Sequence, residues 1–302
     1  MSFDNFRQKV WAAGIMKDLD RLHIYADGTV REYEGMISDL GDTVRIKKVG
    51  KPTITVQDIT DQTSTSGPGV TSAAGRNVTL GDPEEIPDSA LSIVVDHRAL
   101  FNYKVKDIDK AQGAKGVMEH LSSETSEGLA DVHDRFIADM VKADPAVAVY
   151  NSGTAIALTV QNLFETLDGA QQILFENDVR TGTEIDVFIP PWVHTLLRQG
   201  FIKTDTDNSS MLKNGMVARY GSMNLKMSNN VPHVTVGSGS SAYEKYFIHM
   251  RTRRAVAFVH QTTHLEPYRP EKDFSDAIKG FDLYGGKILR PAEIIAIPVK
   301  KS

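Results

Sequence analysis

The sequence contains no cysteine. Disulfide frameworks, thiolate zinc sites and cysteine nucleophiles are therefore excluded, and the absence suits a reducing cytoplasm. No window approaches the roughly 18 apolar residues of a membrane-spanning helix. The opening Met1-Ser2-Phe3-Asp4-Asn5-Phe6-Arg7 has no apolar signal core. Without one, the sequons Asn77-Val78-Thr79 and Asn208-Ser209-Ser210 read as chance matches. Net charge is small too: 34 Lys and Arg against 39 Asp and Glu give −5. A dedicated nucleic-acid binder carries a basic face that neutralises phosphates, and the bulk composition shows no such excess. What remains is ordinary: 41 % apolar and 24 % charged residues in 302. That is enough for a real core in one large or two small folded units.

Along the chain the periodicity changes several times. Phe6, Val10, Ala13 and Lys17 recur at helical spacing in a weakly apolar stretch over 3–22, which reads as an arm that packs on something else. Thr43–Val49 and Thr53–Val56 alternate as strands do, with Gly50-Lys51-Pro52 as a bend. Residues 63–77 are rich in Ser, Thr and Gly and bury little. Leu91, Ile93 and Val95, then Leu100 to Val105, alternate again. Two strand regions flanking a soft tip make a long antiparallel excursion without a core of its own, and such an excursion needs a partner surface.

Asp107-Ile108-Asp109 suits a helix N-terminus better than a pair of catalytic acids. Met118, Leu121, Thr125, Leu129, Val132, Phe136 and Met140 then form one apolar stripe, so 107–143 is expected as a strut helix ending before Pro145. At about 1.5 Å per residue it would span roughly 55 Å, weakened at Gly113, Gly116 and Gly128. A second helix is expected over 159–177, a strand over 184–189, and a helix over 191–199 that Pro190-Pro191 opens and Gly200 ends. Strands follow near 223–228, 243–250 and 254–260. Three more over 263–299 are expected to break at Gly280, Gly285-Gly286 and Pro291. The class is α+β.

Several stretches, in order, resemble the major capsid (coat) proteins of tailed bacteriophages, whose fold is shared with encapsulins and the herpesvirus capsid floor. They are Gly41-Asp42-Thr43-Val44-Arg45-Ile46; Ile93-Val94-Val95-Asp96-His97 running into Phe101–Gln112; Gly215-Met216-Val217 through Ser228–Pro232; Ala255–Gln261 with Glu266–Glu271; and Phe274–Gly280 ending Tyr284–Pro291. The resemblance covers most of 41–291. It implies an N-terminal arm (1–40), an extended β-hairpin loop (41–106) and a peripheral domain with a spine helix (107–149). An axial domain (150–262) follows, then peripheral strands (263–290) and a C-terminal axial strand (291–302). Residues 60–87 are a departure, longer and softer than the family's loop tip.

The function so implied is structural: a non-enzymatic subunit that self-assembles, as pentamers and hexamers, into an icosahedral shell around a double-stranded DNA genome. The shell would form in the host bacterial cytoplasm and end in the virion. No cofactor or membrane is expected. The DNA would be held without sequence specificity. Further expected partners are a separate scaffolding protein, a portal and a decoration protein. Because the β excursion begins near residue 43, there is no room before it for a scaffolding segment, and an uncleaved subunit is expected. Candidate subunit contacts are Arg45, Lys47, Lys48, Lys51, Ile54, Ile93, Arg251, Arg253 and Arg254, and Lys203, Asp205, Asp207 and Lys213 lie on a candidate symmetry-axis loop. Two alternatives stand beside this reading. One is an encapsulin-type compartment enclosing cargo enzymes. The other is a metal-dependent hydrolase built on His260 and His264, which share a strand face at i, i+4 but lack a third ligand at suggestive spacing.

Overall fold

The computed structural model describes residues 23–32, 43–49, 88–106, 117–203, 219–239, 242–271 and 275–302. The expected arm helix over 3–22, Lys51, Ile54, the loop tip and Asp205, Asp207 and Lys213 lie outside them. Two compact units divide the chain. One comprises Arg45–Ser92; the other comprises Met1–Val44 with Ile93–Ser302.

In the smaller unit, β1 (Thr43–Val49) and β2 (Asp88–Val94) form a two-stranded sheet. The excursion is therefore shorter than the expected 41–106. The reason lies in β3 (His97–Lys106), which is bound along its whole length to the C-terminal half of the chain, from Tyr284↔His97 to Ser275↔Lys106. Ile93 and Val95 are fully buried within the larger unit.

The larger unit holds two sheets. Strands β4 (Ala148–Val149), β5 (Ile156–Leu158), β6 (Ile185–Ile189), β7 (Arg219–Tyr220), β8 (Met223–Met227), β9 (His233–Val236), β10 (Tyr243–Thr252) and β13 (Ile294–Lys301) make a mixed sheet ordered β4-β13-β10-β6-β8-β7. In it β5 also pairs with β13, and β9 with β10. Strands β11 (Val256–Tyr268) and β12 (Ser275–Ile288) with β3 make a second sheet, ordered β11-β12-β3 and antiparallel throughout. Because β11 is one continuous strand of this second sheet, a domain boundary at 262 would cut it. The junction falls at the short turn Arg253–Ala255 instead.

Every residue of β6 is buried, as a central strand covered on both faces requires. On one face helices α2 (Leu163–Glu176) and α3 (Pro191–Lys203) present Leu163, Leu167, Leu174, Val193 and Leu197 to Ile185, Val187, Ile189, Ile248, Met250 and Ile297. On the other, Phe188, Ala296 and Ile294 meet Ile137 and Val141 of helix α1 (Val117–Ala143), together with Tyr25 and Ala26. Helix α3 runs past Gly200, which lies against the ring of Phe164: a Cβ there would stand 2.8 Å from Cε2. The glycine marks close helix packing, not a stop.

Helix α1 exists as expected over its described part, but its buried face is displaced by one residue from the apolar stripe. Ser122, Ser126, Leu129, Ala130, His133, Asp134, Ile137, Ala138 and Val141 are buried, whereas Val132 is 40 % exposed. The stripe lies along the flank of a face whose centre is partly polar.

Strand β12 passes uninterrupted through Gly280 and Gly285-Gly286. The glycines permit close approach rather than a break: a Cβ on Gly285 would lie 2.4 Å from the Val94 carbonyl oxygen and 3.0 Å from Val95 Cα. Pro267 is accommodated within β11 because that strand is at the sheet edge, where a missing amide hydrogen is tolerated.

Two glycine substitutions test this packing in opposite directions. Gly285→Ala forces backbone apart and should destabilise by about 1–3 kcal/mol. Gly128 is exposed within α1, with nothing within 4 Å of a Cβ. Gly128→Ala should stabilise by about 1 kcal/mol through helix propensity alone. Thermal and urea unfolding of both variants reads the two signs.

Candidate functional site

The candidate contact residues do not gather at one place. Arg45 is exposed on β1, and Lys47 and Lys48 are on the same strand. Lys203 is the last residue of α3. Arg253 and Arg254 are exposed, but both also hold the chain's own structure. Arg253 Nε donates to the Thr29 carbonyl at 3.4 Å, and Arg254 Nε pairs with Glu293 at 2.8 Å. Two candidates are overturned. Ile93 and Arg251 have no accessible surface. Neither can reach a neighbouring subunit, because each is enclosed by its own chain.

Arg251 is the centre of what the structure brings together in place of that surface. Its neighbours on β10, Ile248 and Met250, point into the α2–α3 core. Alternation sends Arg251 to the other face, where its guanidinium lies 4.9 Å from the Phe188 ring centroid and donates to the Tyr25 carbonyl. Burial pulls its pKa down to about 10, opposed by the negative charges of Asp186 and Asp134, so it stays cationic at neutral pH. Asp186, on β6, receives Lys226 Nζ at 3.2 Å and Asn224 Nδ2 at 3.4 Å. The Asp186 carboxylate leaves no room for a side chain at residue 28, where a Cβ would stand 2.5 Å from Oδ2. Only glycine fits.

Residues 23–32 are thus threaded through the larger unit by polar contacts. Asp134 of α1 collects the backbone amides of Ile24, Tyr25 and Ala26 at 2.9, 3.0 and 3.1 Å. Burial pushes its carboxyl up, and these three hydrogen bonds oppose that shift. The Tyr25 ring stacks on Phe188 at 4.0 Å between centroids, with 12° between planes. Val30 continues the segment as a parallel bridge to Ala257, accepting from Phe258 N at 3.2 Å and donating to Val256 O at 3.0 Å. On the same side of the molecule His23, His133, His260 and Asp282 form a second buried polar group. Sequence reasoning read His260 with His264. A β-bulge between Thr262 and His264 breaks the i, i+4 alternation, and His260 turns to Arg31 and Asp282. Spacing within the chain gave no signal for this group, since its members come from four distant segments.

Glu293 completes the inventory. It accepts from the Thr252 hydroxyl, from Arg254 Nε at 2.8 Å and from Arg290 Nη1 at 3.2 Å. Burial pushes its pKa up, but these donors outweigh burial and the net shift is downward.

No family model and no curated protein matches the sequence. Solved structures do match. A chain of Mycobacterium phage Che8 superposes with a TM-score of 0.65 at 24 % identity, over 91 % of this chain and 90 % of that one. The capsid structure of the cyanophage P-SCSP1u gives 0.64 at 18 % identity, over 93 % and 87 %. The virus-like particle from Pyrococcus furiosus gives 0.54 at 11 % identity, over 94 % and 96 %. The chain therefore has the tailed-phage capsid fold, as the ordered stretches of the sequence implied.

Two predictions follow from burial and charge. Ile93→Asp places a charge in the interior and should unfold the larger unit, a loss above about 4 kcal/mol, whereas Arg45→Glu on the exposed strand should leave folding intact. Circular dichroism and urea titration of each subunit distinguish them. Glu293 has a lowered folded-state pKa, so its stabilising contribution is full above its unfolded value and is lost as pH falls through the folded one. The stability gap between the native chain and Glu293→Gln should accordingly be constant near neutrality and shrink below about pH 4.5, the unfolded range of a Glu carboxyl. Urea titrations at a series of pH values measure that gap.

Proposed function

We propose that this chain is a structural capsid subunit, non-enzymatic, that self-assembles into an icosahedral shell enclosing double-stranded DNA. The observation that carries the reading is the capsid-protein fold over about nine-tenths of both chains, with a phage as the source of the first two. The separate unit Arg45–Ser92 supports it, since its described part is a two-stranded ribbon. Such ribbons are marginal alone in water, and a neighbouring copy supplies the surface they need. Within this reading the domain map of arm, extended loop, peripheral and axial domains applies with the loop shortened to 45–92 and β3 and β11 assigned to the peripheral sheet. Arg45, Lys47, Lys48, Lys51 and Ile54 remain the proposed contacts of the loop. Arg253 and Arg254 use their exposed sides, and Lys203, Asp205, Asp207 and Lys213 remain the proposed symmetry-axis loop. Scaffolding protein, portal and decoration protein are the further partners, and the virion is the destination. The near-neutral charge fits a shell interior that must release DNA, because a basic lining would hold phosphate tightly.

The similarity to the Pyrococcus virus-like particle keeps one other content in view, a protein cargo. Expressed chain should sediment as pentamers, hexamers or closed shells by light scattering and electron microscopy. Particles from phage-infected cells should contain nuclease-protected double-stranded DNA. A stable monomer at high concentration overturns the reading, and closed shells holding an enzyme in place of DNA replace it with a compartment.

A further inference from the structure

We propose that Lys142, Lys245 and Lys300 form a phosphate-binding face that holds the backbone of double-stranded DNA. The inference rests on the reading of the chain as a DNA-enclosing subunit and names where the nucleic acid is held.

Strand alternation and the end of one helix bring the three lysines together. On β10, Tyr243, Lys245 and Phe247 fall on the sheet face shared by His249 and Arg251, the face that α1 covers further along. Helix α1 ends at Ala143, and Lys142 in its last turn places Nζ 5.6 Å from the Phe247 ring centroid. Lys245 Nζ lies 5.0 Å from the same centroid. The antiparallel register of β10 and β13 runs from Arg251↔Ile294 to Tyr246↔Val299, and its next step sets Lys245 opposite Lys300. Lys300 Nζ in turn lies 4.6 Å from the Tyr243 centroid. All three lysines and both rings are half-buried.

The charges on this face are not balanced from within the chain. Residues directly opposite on antiparallel strands share a face, and like charges there repel. Lys226 and Lys279 find carboxylates at 3.2 and 2.8 Å, but among the described residues none of these three lysines has an ion pair at 4.0 Å or less. Acids close in sequence are engaged elsewhere. Glu244 alternates to the opposite face, where it accepts from the Tyr246 hydroxyl, and Asp144 accepts from the Ala146 amide at 2.8 Å. The rings steady the ammonium groups but carry no net charge to neutralise them. Lys245 also donates to the Gly153 carbonyl at 2.5 Å. An ammonium has three donors, so two remain for an outside acceptor. The positive field extends beneath the face: burial, then Arg251 and Lys142, pull the His249 pKa down to about 3.

A phosphodiester backbone answers this arrangement better than a carboxylate side chain does. Lysine is a point charge that phosphate oxygens accept without a fixed fork geometry. A duplex carries one negative charge per about 1.7 Å of its axis, so one backbone offers charge to all three ammonium groups at once. A single carboxylate neutralises one of them. Three contacts per subunit make a weak hold that salt loosens, in keeping with a net charge of −5 and with DNA that is packed and then released.

Fluorescence anisotropy of a short labelled DNA duplex, with the full chain kept unassembled at low concentration and titrated with NaCl, tests the face. Lys142→Gln/Lys245→Gln/Lys300→Gln should weaken binding at least about tenfold at low salt. It should also make the slope of log affinity against log salt shallower by about 2–3, as expected for the loss of three phosphate contacts. The same charge removed at the exposed Arg180, Arg198 and Arg219 by glutamine should change neither. Lys142→Gln/Lys300→Gln leaves the Lys245 contact with Gly153 in place and makes the same test, with a slope change of about 2, should the triple variant not fold. The proposal is overturned if the lysine variants bind the duplex as the native chain does, or if the arginine variant loses as much. It is also overturned if an acidic peptide of equal charge binds the native chain more tightly than the duplex, which makes the face a protein contact. Particles that hold nuclease-protected DNA alongside an unaffected lysine variant sink this inference alone. Particles that hold a protein cargo sink the capsid reading, whatever the duplex titration shows.

Discussion

A cation with no access to water sits where the two sheets of the larger unit meet, and the arrangement around it admits little freedom. Moving a guanidinium out of water is offset only by acceptors and counter-charges in fixed positions. Arg251 finds them in the Tyr25 carbonyl, the Phe188 ring and the carboxylates of Asp186 and Asp134. Each of these sets another element. Asp186 excludes any side chain at residue 28. Phe188 fixes the plane of Tyr25. Asp134 takes the amides of residues 24–26, which ties α1 to a segment 108–110 residues earlier in the chain. Val30 then extends the edge of β11. One buried charge thereby sets the relative register of an N-terminal segment, the spine helix, the eight-stranded sheet and the three-stranded sheet.

Buried ion pairs are a poor source of stability compared with well-packed apolar residues, but breaking one is severe because it strands the partner. An apolar cluster of the same volume would tolerate sliding and repacking. The polar cluster does not, since sliding would take the Arg251 guanidinium away from the Tyr25 carbonyl and the Asp186 and Asp134 carboxylates. The cluster thereby trades stability for a single defined arrangement of the elements around it.

The elements read from period and punctuation are those whose burial is apolar. Strand β6, helices α2 and α3 and the described part of α1 fall within a few residues of expectation. Misreadings arose where a residue acts against its usual meaning. Gly280, Gly285 and Gly286 read as breaks, yet they lie inside a 14-residue strand because backbone crosses over one of them. Gly200 read as a helix end and is a helix contact. The apolar stripe on α1 missed the buried face because that face contains Ser122, Ser126, His133 and Asp134, residue types ordinarily solvated. Arg251 and Ile93 read as surface because an alternating strand does not say which of its faces is covered, and here the covering comes from sequence-distant segments. No local pattern encodes a contact such as Asp134 with Tyr25.

The internal polar network and the β1–β2 ribbon answer different requirements of the same chain. The larger unit has an apolar core on one side of its central sheet, and on the other a second apolar cluster into which the buried Arg251 is set. The described strands of unit 45–92 have only each other within that unit. A ribbon of that kind gains its stability from whatever surface it meets, so its free energy is expressed on association and not on folding. The exposed cation Arg45 and its neighbours Lys47 and Lys48 lie on the ribbon, and the buried cation Arg251 lies in the body. Both Arg45 and Arg251 are cations, but Arg45 still holds its water, whereas Arg251 exchanged water for the Tyr25 carbonyl and nearby carboxylates when the chain folded.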